Sequence, residues 1–267
     1  MKPISVNELT ESVNSNLPRE IKSTIAKNIL AEEKDPESAR EIFYRLINDL
    51  TTKAQKEVVN ATGTVLHTNL GRSPNNVTFP GRYTNIEYDL TNLVRGNRNE
   101  YLSLLMNDLI GSQDIAFVNN NASSLYLSLK AISKSHNIHN VIISRGEIIE
   151  IGGSYRLPEI IGETDLSLIE IGTTNKTKLS DYTKALESYP DSLILKVHRS
   201  NFSINGFTED VSIAELAELK NNFDVLLLHD LGSGLVVDKK FLEINNVSIF
   251  KNEPFVQDSL SDGADLV

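Results

Sequence analysis

The 267-residue chain predicts an α/β fold: a mostly parallel sheet covered by helices on both faces, preceded by a small helical domain. Three observations lead there. Short apolar runs recur at 114–118 (DIAFV), 140–144 (NVIIS), 165–171 (DLSLIEI), 192–197 (SLILKV) and 224–229 (DVLLLH), their starts about 25 to 32 residues apart, near the length of one βα unit. Helical periodicity fills most of the intervals, at 121–133, 180–188 and 212–222. The runs are also close to continuously apolar, as expected of strands buried on both faces.

The N-terminal segment reads as helices. Ala39, Ile42, Phe43, Leu46, Ile47 and Leu50 fall on one stripe of a helix over 35–50, with Asp35 as N-cap and Pro36 at the first helical position. Pro18 opens a second helix carrying Ile21, Ile25, Ile29 and Leu30 on one face. Residues 1–56 are charge-neutral, so the net charge of −10 belongs wholly to 57–267, and the domain boundary is placed between these segments. Ser212 followed by Glu215 forms a capping box for the 212–222 helix. Residues 255–263 predict a further helix, and Ala264-Asp265-Leu266-Val267 the start of another strand. A parallel sheet cut so early in a strand leaves backbone groups unpaired, so the chain is expected to be part of a longer protein.

Composition removes several function classes. There is no cysteine, which excludes thiolate metal sites and a thiol nucleophile. No apolar run is long enough to cross a membrane, and no apolar core of a signal peptide follows the N-terminus. A cytoplasmic location is expected. The acidic balance argues against indiscriminate nucleic-acid binding, and without a Walker or GxGxxG motif ATP and dinucleotides are disfavoured.

Ligands of open α/β sheets bind beyond the C-terminal strand ends, and three of these are polar here. Asn119-Asn120-Asn121-Ala122-Ser123 opens a helix whose free N–H groups could cradle a phosphate, or it is simply a helix cap. Lys196-Val197-His198-Arg199-Ser200-Asn201 sets a titratable His among donors. His229-Asp230-Leu231-Gly232-Ser233-Gly234 ends a leucine run in a carboxylate that loses hydration. That carboxylate needs strong donors or a cationic partner, such as a metal, an internal Arg or a protonated pyridine nitrogen, and is as readily structural as functional. The polar, Gly-interrupted stretch Asn60–Arg72 suits an ordered active-site loop. Arg95-Gly96-Asn97-Arg98 offers two guanidiniums for an oxyanion, or a solvated surface pair.

The run NATGTVLHTNLGR closely resembles the signature that opens the large domain of bacterial selenocysteine synthases, the L-seryl-tRNA(Sec) selenium transferases. The resemblance continues in order through IEYDL, RGNR, VNNNAS, SRGEIIEIGGSYRLP, EIGTTNKT, LKVHRSNF, GFTEDVS and HDLGSG, across residues 57–267. It implies a fold-type-I pyridoxal-phosphate transferase that turns seryl-tRNA(Sec) into selenocysteinyl-tRNA(Sec). Selenophosphate is the selenium donor, a cofactor-bound aminoacrylyl group the intermediate, and the enzyme a dimer-based homo-oligomer, usually a decamer.

By that resemblance Asn121, Ala122 and Ser123 hold the cofactor phosphate, and Asp230 keeps the pyridine nitrogen protonated. His67, Asn69 and Arg72 line the pocket, with Arg72 on the selenophosphate or leaving-group anion. His198 and Asn201 approach the cofactor, and Arg95 and Arg98 contact substrate. Catalytic roles are thus implied for Arg72, His67 and His198. Thr173 and Thr174 lie near a subunit contact, and residues 1–56 resemble the tRNA-binding domain, though only loosely. The stretch after Arg72 is shorter than in the family, and the Schiff-base lysine of its Ser-Gly-Asp-Lys motif has no counterpart in the chain. The chain is therefore expected to be inactive alone. Two alternatives stay open: a related lyase acting on a small amino acid, and a non-catalytic remnant keeping only tRNA or subunit contacts.

Overall fold

The computed structural model describes residues 3–64, 67–71, 73, 74, 77, 78, 81–151, 155–237, 241, 242 and 253–267. The chain divides into two compact units, Met1–Asn76 and Val77–Val267. The first contains the predicted helices: α1 (Val6–Glu11), α2 (Arg19–Glu32) and α3 (Pro36–Thr52). Asp35 caps α3 as expected, its carboxylate accepting from Ser38 N–H at 2.9 Å. Leu9, Ala26, Ile29, Ala39, Phe43 and Ile47 form the small core. The predicted stripes are wider than the buried ones: Ile21, Leu46 and Leu50 stay exposed, because three short helices cover only part of each apolar face.

The second unit begins with a short antiparallel hairpin, β1 (Tyr88–Asp89) with β2 (Val94–Arg95), followed by α4 (Glu100–Ile110). Its main sheet comprises β3 (Asn140–Ser144), β6 (Ser167–Ile171), β7 (Ser192–Val197) and β8 (Leu226–Asp230), all parallel, in the order β6-β3-β7-β8. A second hairpin, β4 (Glu150–Ile151) with β5 (Tyr155–Arg156), follows β3. The helices are α5 (Asn121–Ser135), α6 (Leu157–Gly162), α7 (Leu179–Ser188), α8 (Ile213–Glu218) and α9 (Val256–Ser261).

Successive strand residues face opposite ways, and two cores result. Val141, Ile143, Leu193, Leu195, Val197 and Leu228 pack with Leu125 and Leu129 of α5 and with Leu157, Ile160 and Ile161 of α6. Ile142, Ile194 and Leu227 pack on the other face with Tyr182, Ala185 and Leu186 of α7 and Ile213 and Leu216 of α8. Both faces of the sheet are covered, as the continuous apolar runs require.

The predicted capping box is present at α8, with Glu215 N–H donating to Ser212 Oγ at 3.3 Å and Ser212 N–H to Glu215 Oε2 at 2.8 Å. The terminal residues also begin to pair: His229 N–H donates to the Leu266 carbonyl at 2.8 Å and Asp265 N–H to that of Leu227 at 2.9 Å, along the free edge of β8.

One expectation fails. Residues 114–118 join no ladder, and Phe117 and Val118 are exposed. An apolar run is strand-like only in potential; pairing needs a ladder partner, and none of the described strands pairs with it. Conversely, α4 carries Leu102, Leu104, Leu105 and Leu109 in exposed positions. A helix apolar around most of its circumference shows no stripe to read.

Candidate active site at the ends of β7 and β8

Asp230 is the last residue of β8, and only 7% of its surface is exposed. The leucines before it place the carboxylate where water cannot solvate it, so donors must come from the protein. Asn121, first residue of α5, supplies one: its Nδ2 donates to Asp230 Oδ1 at 2.8 Å. The backbone N–H of Gly232 supplies the second, at 3.1 Å. Gly232 holds φ +63°, and a Cβ there would stand 3.1 Å from Ser200 Oγ, so the turn that aims this N–H back at Asp230 favours glycine.

Both donors are neutral. Burial pushes the Asp230 carboxyl above the usual carboxylate range; the Asn121 amide, the Gly232 N–H and the charge on His198 oppose the rise. Among the described residues no lysine or arginine forms an ion pair with Asp230. Among the described residues the carboxylate thus has two neutral hydrogen-bond donors and no lysine or arginine partner.

A cavity of ≈ 150 Å³ opens here, lined among others by Asn121, Ser124, Ser128, Asp230, Gly232 and Gly234. The N-terminus of α5 borders it. Asn120 caps that helix, its Oδ1 accepting from Ser123 N–H at 2.8 Å. The amides of Asn121 and Ala122 lie in the first turn, where a helix has no internal acceptors. A buried carboxylate without a cation and a helix N-terminus beside it form a pair of opposite polarity. Such a cavity fits a ligand with a protonated ring nitrogen at one end and an anionic group at the other. Pyridoxal phosphate has both. No lysine is among the described lining residues.

The other residues singled out from the sequence distribute as follows. His198 follows β7; its N–H donates to the Asp230 carbonyl at 2.8 Å, and its Nε2 lies 3.4 Å from Glu253 Oε2. Asn201 instead donates to the Glu150 carbonyl at 3.2 Å. Ser123, expected to present its N–H to a phosphate, has committed it to the Asn120 cap. Arg95 and Arg98 converge on one carboxylate, Glu87, with Arg98 Nε donating at 2.9 Å and Arg95 Nη2 at 3.4 Å. Thr173 and Thr174 border a small recess with Gly146, Arg199 and Asp210. His67 and Asn69 belong to the first unit, where Asn69 N–H donates to His67 Nδ1 at 3.2 Å. Arg72 lies outside the described residues.

Two participants, Glu253 and Glu147, escaped the sequence reading, and Ser233 was named only within the His229–Gly234 run. Glu253 and Ser233 join His198, with Ser233 Oγ donating to Glu253 Oε2 at 2.7 Å. Glu147 is fully buried on an ion pair with Lys196, and its Oε2 accepts from Val197 N–H at 3.0 Å. A glutamate inside RGEIIEI gives no local sign of burial, and its partner lies in a distant strand.

Comparison with known proteins places the sequence in a family. The sequence model of the L-seryl-tRNA selenium transferase (SelA) family matches residues 58–267. An L-seryl-tRNA(Sec) selenium transferase of Moorella thermoacetica is 43% identical over 250 residues, covering 90% of this chain and 51% of that protein. One from Aquifex aeolicus (strain VF5) is 38% identical over 257 residues, covering 93% and 55%. One from Mannheimia succiniciproducens is 38% identical over 276 residues, covering 98% and 57%. The chain spans about half the length of the curated relatives it matches. Among solved structures it is similar to D-glucosaminate-6-phosphate ammonia-lyase, with a TM-score of 0.44 and 12% identity over 62% of this chain and 42% of that one, a likeness too distant to bear on function. The matched region carries both strand ends that build the Asp230 site, and the chain belongs to the L-seryl-tRNA selenium transferase family.

Proposed function

We propose that this chain forms the cofactor-binding part of an L-seryl-tRNA(Sec) selenium transferase, with pyridoxal phosphate as cofactor, seryl-tRNA(Sec) as substrate and selenophosphate as selenium donor. The observation that carries the reading is the buried Asp230 carboxylate, bonded among the described residues by neutral donors, in one cavity with Asn121 at the N-terminus of α5. Bound pyridoxal phosphate supplies an electron sink that eases loss of the α-proton and of the β-hydroxyl from an amino-acid seryl group.

The protein's part is positional and electrostatic. Asp230 holds a proton on the pyridine nitrogen, because the charge pair replaces the hydration its carboxylate has lost. Asn121 fixes the carboxylate rotamer through its amide and offers its N–H, with that of Ala122, to the phosphate. Arg95 and Arg98 share Glu87 and so keep a net positive charge, suited to the anionic tRNA or selenophosphate. The roles of His67, Asn69, Arg72 and Asn201 rest on motif correspondence alone. The first-unit helices serve tRNA binding, and the complete protein is a dimer-based oligomer. No described helix is long and apolar enough to cross a membrane.

The test is a titration of the folded chain with pyridoxal phosphate, followed by the change in cofactor absorbance, with inorganic phosphate as competitor. Saturable binding that phosphate weakens supports the reading. Absence of binding by a chain that circular dichroism shows to be folded overturns it. Preference for seryl-tRNA(Sec) over seryl-tRNA(Ser) separates the transferase from a small-molecule lyase, which would show none.

A further inference from the structure

His198 stands beside Asp230 with an acid behind it. Its main chain is fixed by the N–H to Asp230 carbonyl bond at 2.8 Å. Its Nε2 faces Glu253 Oε2 at 3.4 Å, and that same oxygen accepts from Ser233 Oγ at 2.7 Å. Ser233 belongs to the turn whose Gly232 N–H holds Asp230. One short segment, 230–233, therefore ties down both carboxylates, Asp230 and Glu253, and the imidazole lies next to each. The side chains of His198 and Glu253 are 25% and 30% exposed, so an incoming molecule can reach the pair.

We infer that Glu253 is a positioning residue of this site: anchored by Ser233, its carboxylate keeps the proton of the His198 ring on Nε2 and leaves Nδ1 as the ring's proton-accepting atom. A carboxylate on one imidazole nitrogen selects the tautomer and fixes the ring plane. Among the described residues, the charged and titratable groups around this ring are the following. Glu253 faces Nε2; Asp230 and His229 lie within electrostatic reach, and His229 is kept neutral near pH 7 because burial pushes it down to about 4. Neighbouring Arg199 is engaged elsewhere, on Asp210 and the Gly146 carbonyl. Lys196, on the preceding residue pair, is held by Glu147 and Asp210. Glu253 is thus the carboxylate positioned to orient the ring, and its role rests on the cofactor-site reading above.

The experiment uses the full chain with ¹⁵N-labelled histidine, His198 signals being assigned with His198→Asn. At a pH where the ring is neutral, wild type shows one nitrogen protonated and the other bare. In Glu253→Gln the two signals move toward each other, as tautomers average, and Glu253→Asp restores part of the difference. Affinity for pyridoxal phosphate falls on the order of tenfold in Glu253→Gln, about 1.4 kcal/mol. Unchanged His198 signals in Glu253→Gln overturn the inference. So does a changed tautomer with cofactor affinity unmoved. If neither wild type nor variant binds pyridoxal phosphate, the functional reading falls, while the nitrogen signals still decide whether Glu253 orients His198.

Discussion

Two buried carboxylates lie at the C-terminal end of the same sheet, and the protein treats them differently. Glu147 is fully buried; it accepts from the Lys196 ammonium and from Val197 N–H, and Lys196 continues to Asp210 at 3.3 Å, which also holds Arg199. Burial pushes the Glu147 carboxyl up and Lys196 opposes it; for Asp210 burial also works upward, but Lys196 and Arg199 outweigh it and hold the carboxyl below its ordinary value. Asp230 has an amide and a backbone N–H and, among the described residues, no lysine or arginine in an ion pair with it. The first carboxylate is complete within the fold. The second has only neutral donors among the described residues, and on the proposed reading a ligand cation completes it; that would separate a structural ion pair from a ligand site.

The comparison can be broken most forcefully at Lys196. Lys196→Met leaves Glu147 buried with one backbone donor and should cost on the order of 3–5 kcal/mol in denaturant unfolding. Adding Glu147→Gln should recover much of that loss, since the unpaired charge is then gone. A Lys196→Met protein as stable as wild type would mean that Glu147 does not depend on its cation.

A second, smaller effect comes from His229, whose Nδ1 lies 3.0 Å from Ser259 Oγ between β8 and α9. Burial pushes its pKa from 6.5 down to about 4. Below pH 6.5 the unfolded chain binds the proton more readily than the folded one, so stability falls as pH drops from 6.5 toward 4. The loss is on the order of 2 kcal/mol. His229→Gln should flatten this part of the stability profile; an unaltered slope would remove His229 as its source.

Smaller again is the effect at Asn120. Asn120→Ala removes the cap of α5 and should cost about 1 kcal/mol. It also frees Ser123 N–H, so pyridoxal phosphate binding should not weaken beyond what the stability loss explains. A collapse of binding would place Asn120 itself on the ligand.

These contrasts also show which parts of the protein were legible in its sequence. Strands β3 and β7 coincide with apolar runs because burial on both faces leaves no room for polar residues there. The α3 and α8 starts were readable because Asp35-Pro36 and Ser212/Glu215 act within four residues. Pairing was not readable: 114–118 has strand composition, but its partner is a matter of tertiary arrangement. The same division runs through the site. Asp230 betrayed itself by ending a leucine run, whereas Asn121 showed only its capping context and not its bond to a residue 109 positions away. Glu147 and Glu253 gave no signal, since Lys196 and His198 reach them across the fold.

The central claim, that Asp230 is reserved for a cationic ring nitrogen, is tested most directly by calorimetric titration of pyridoxal phosphate into wild type and Asp230→Asn, with unfolding measured on both. The account predicts a variant at least as stable as wild type to within about 1 kcal/mol, because a neutral amide suits a site without a cation, and cofactor binding weakened at least about tenfold. An Asp230→Asn protein that binds pyridoxal phosphate as tightly as wild type would contradict it.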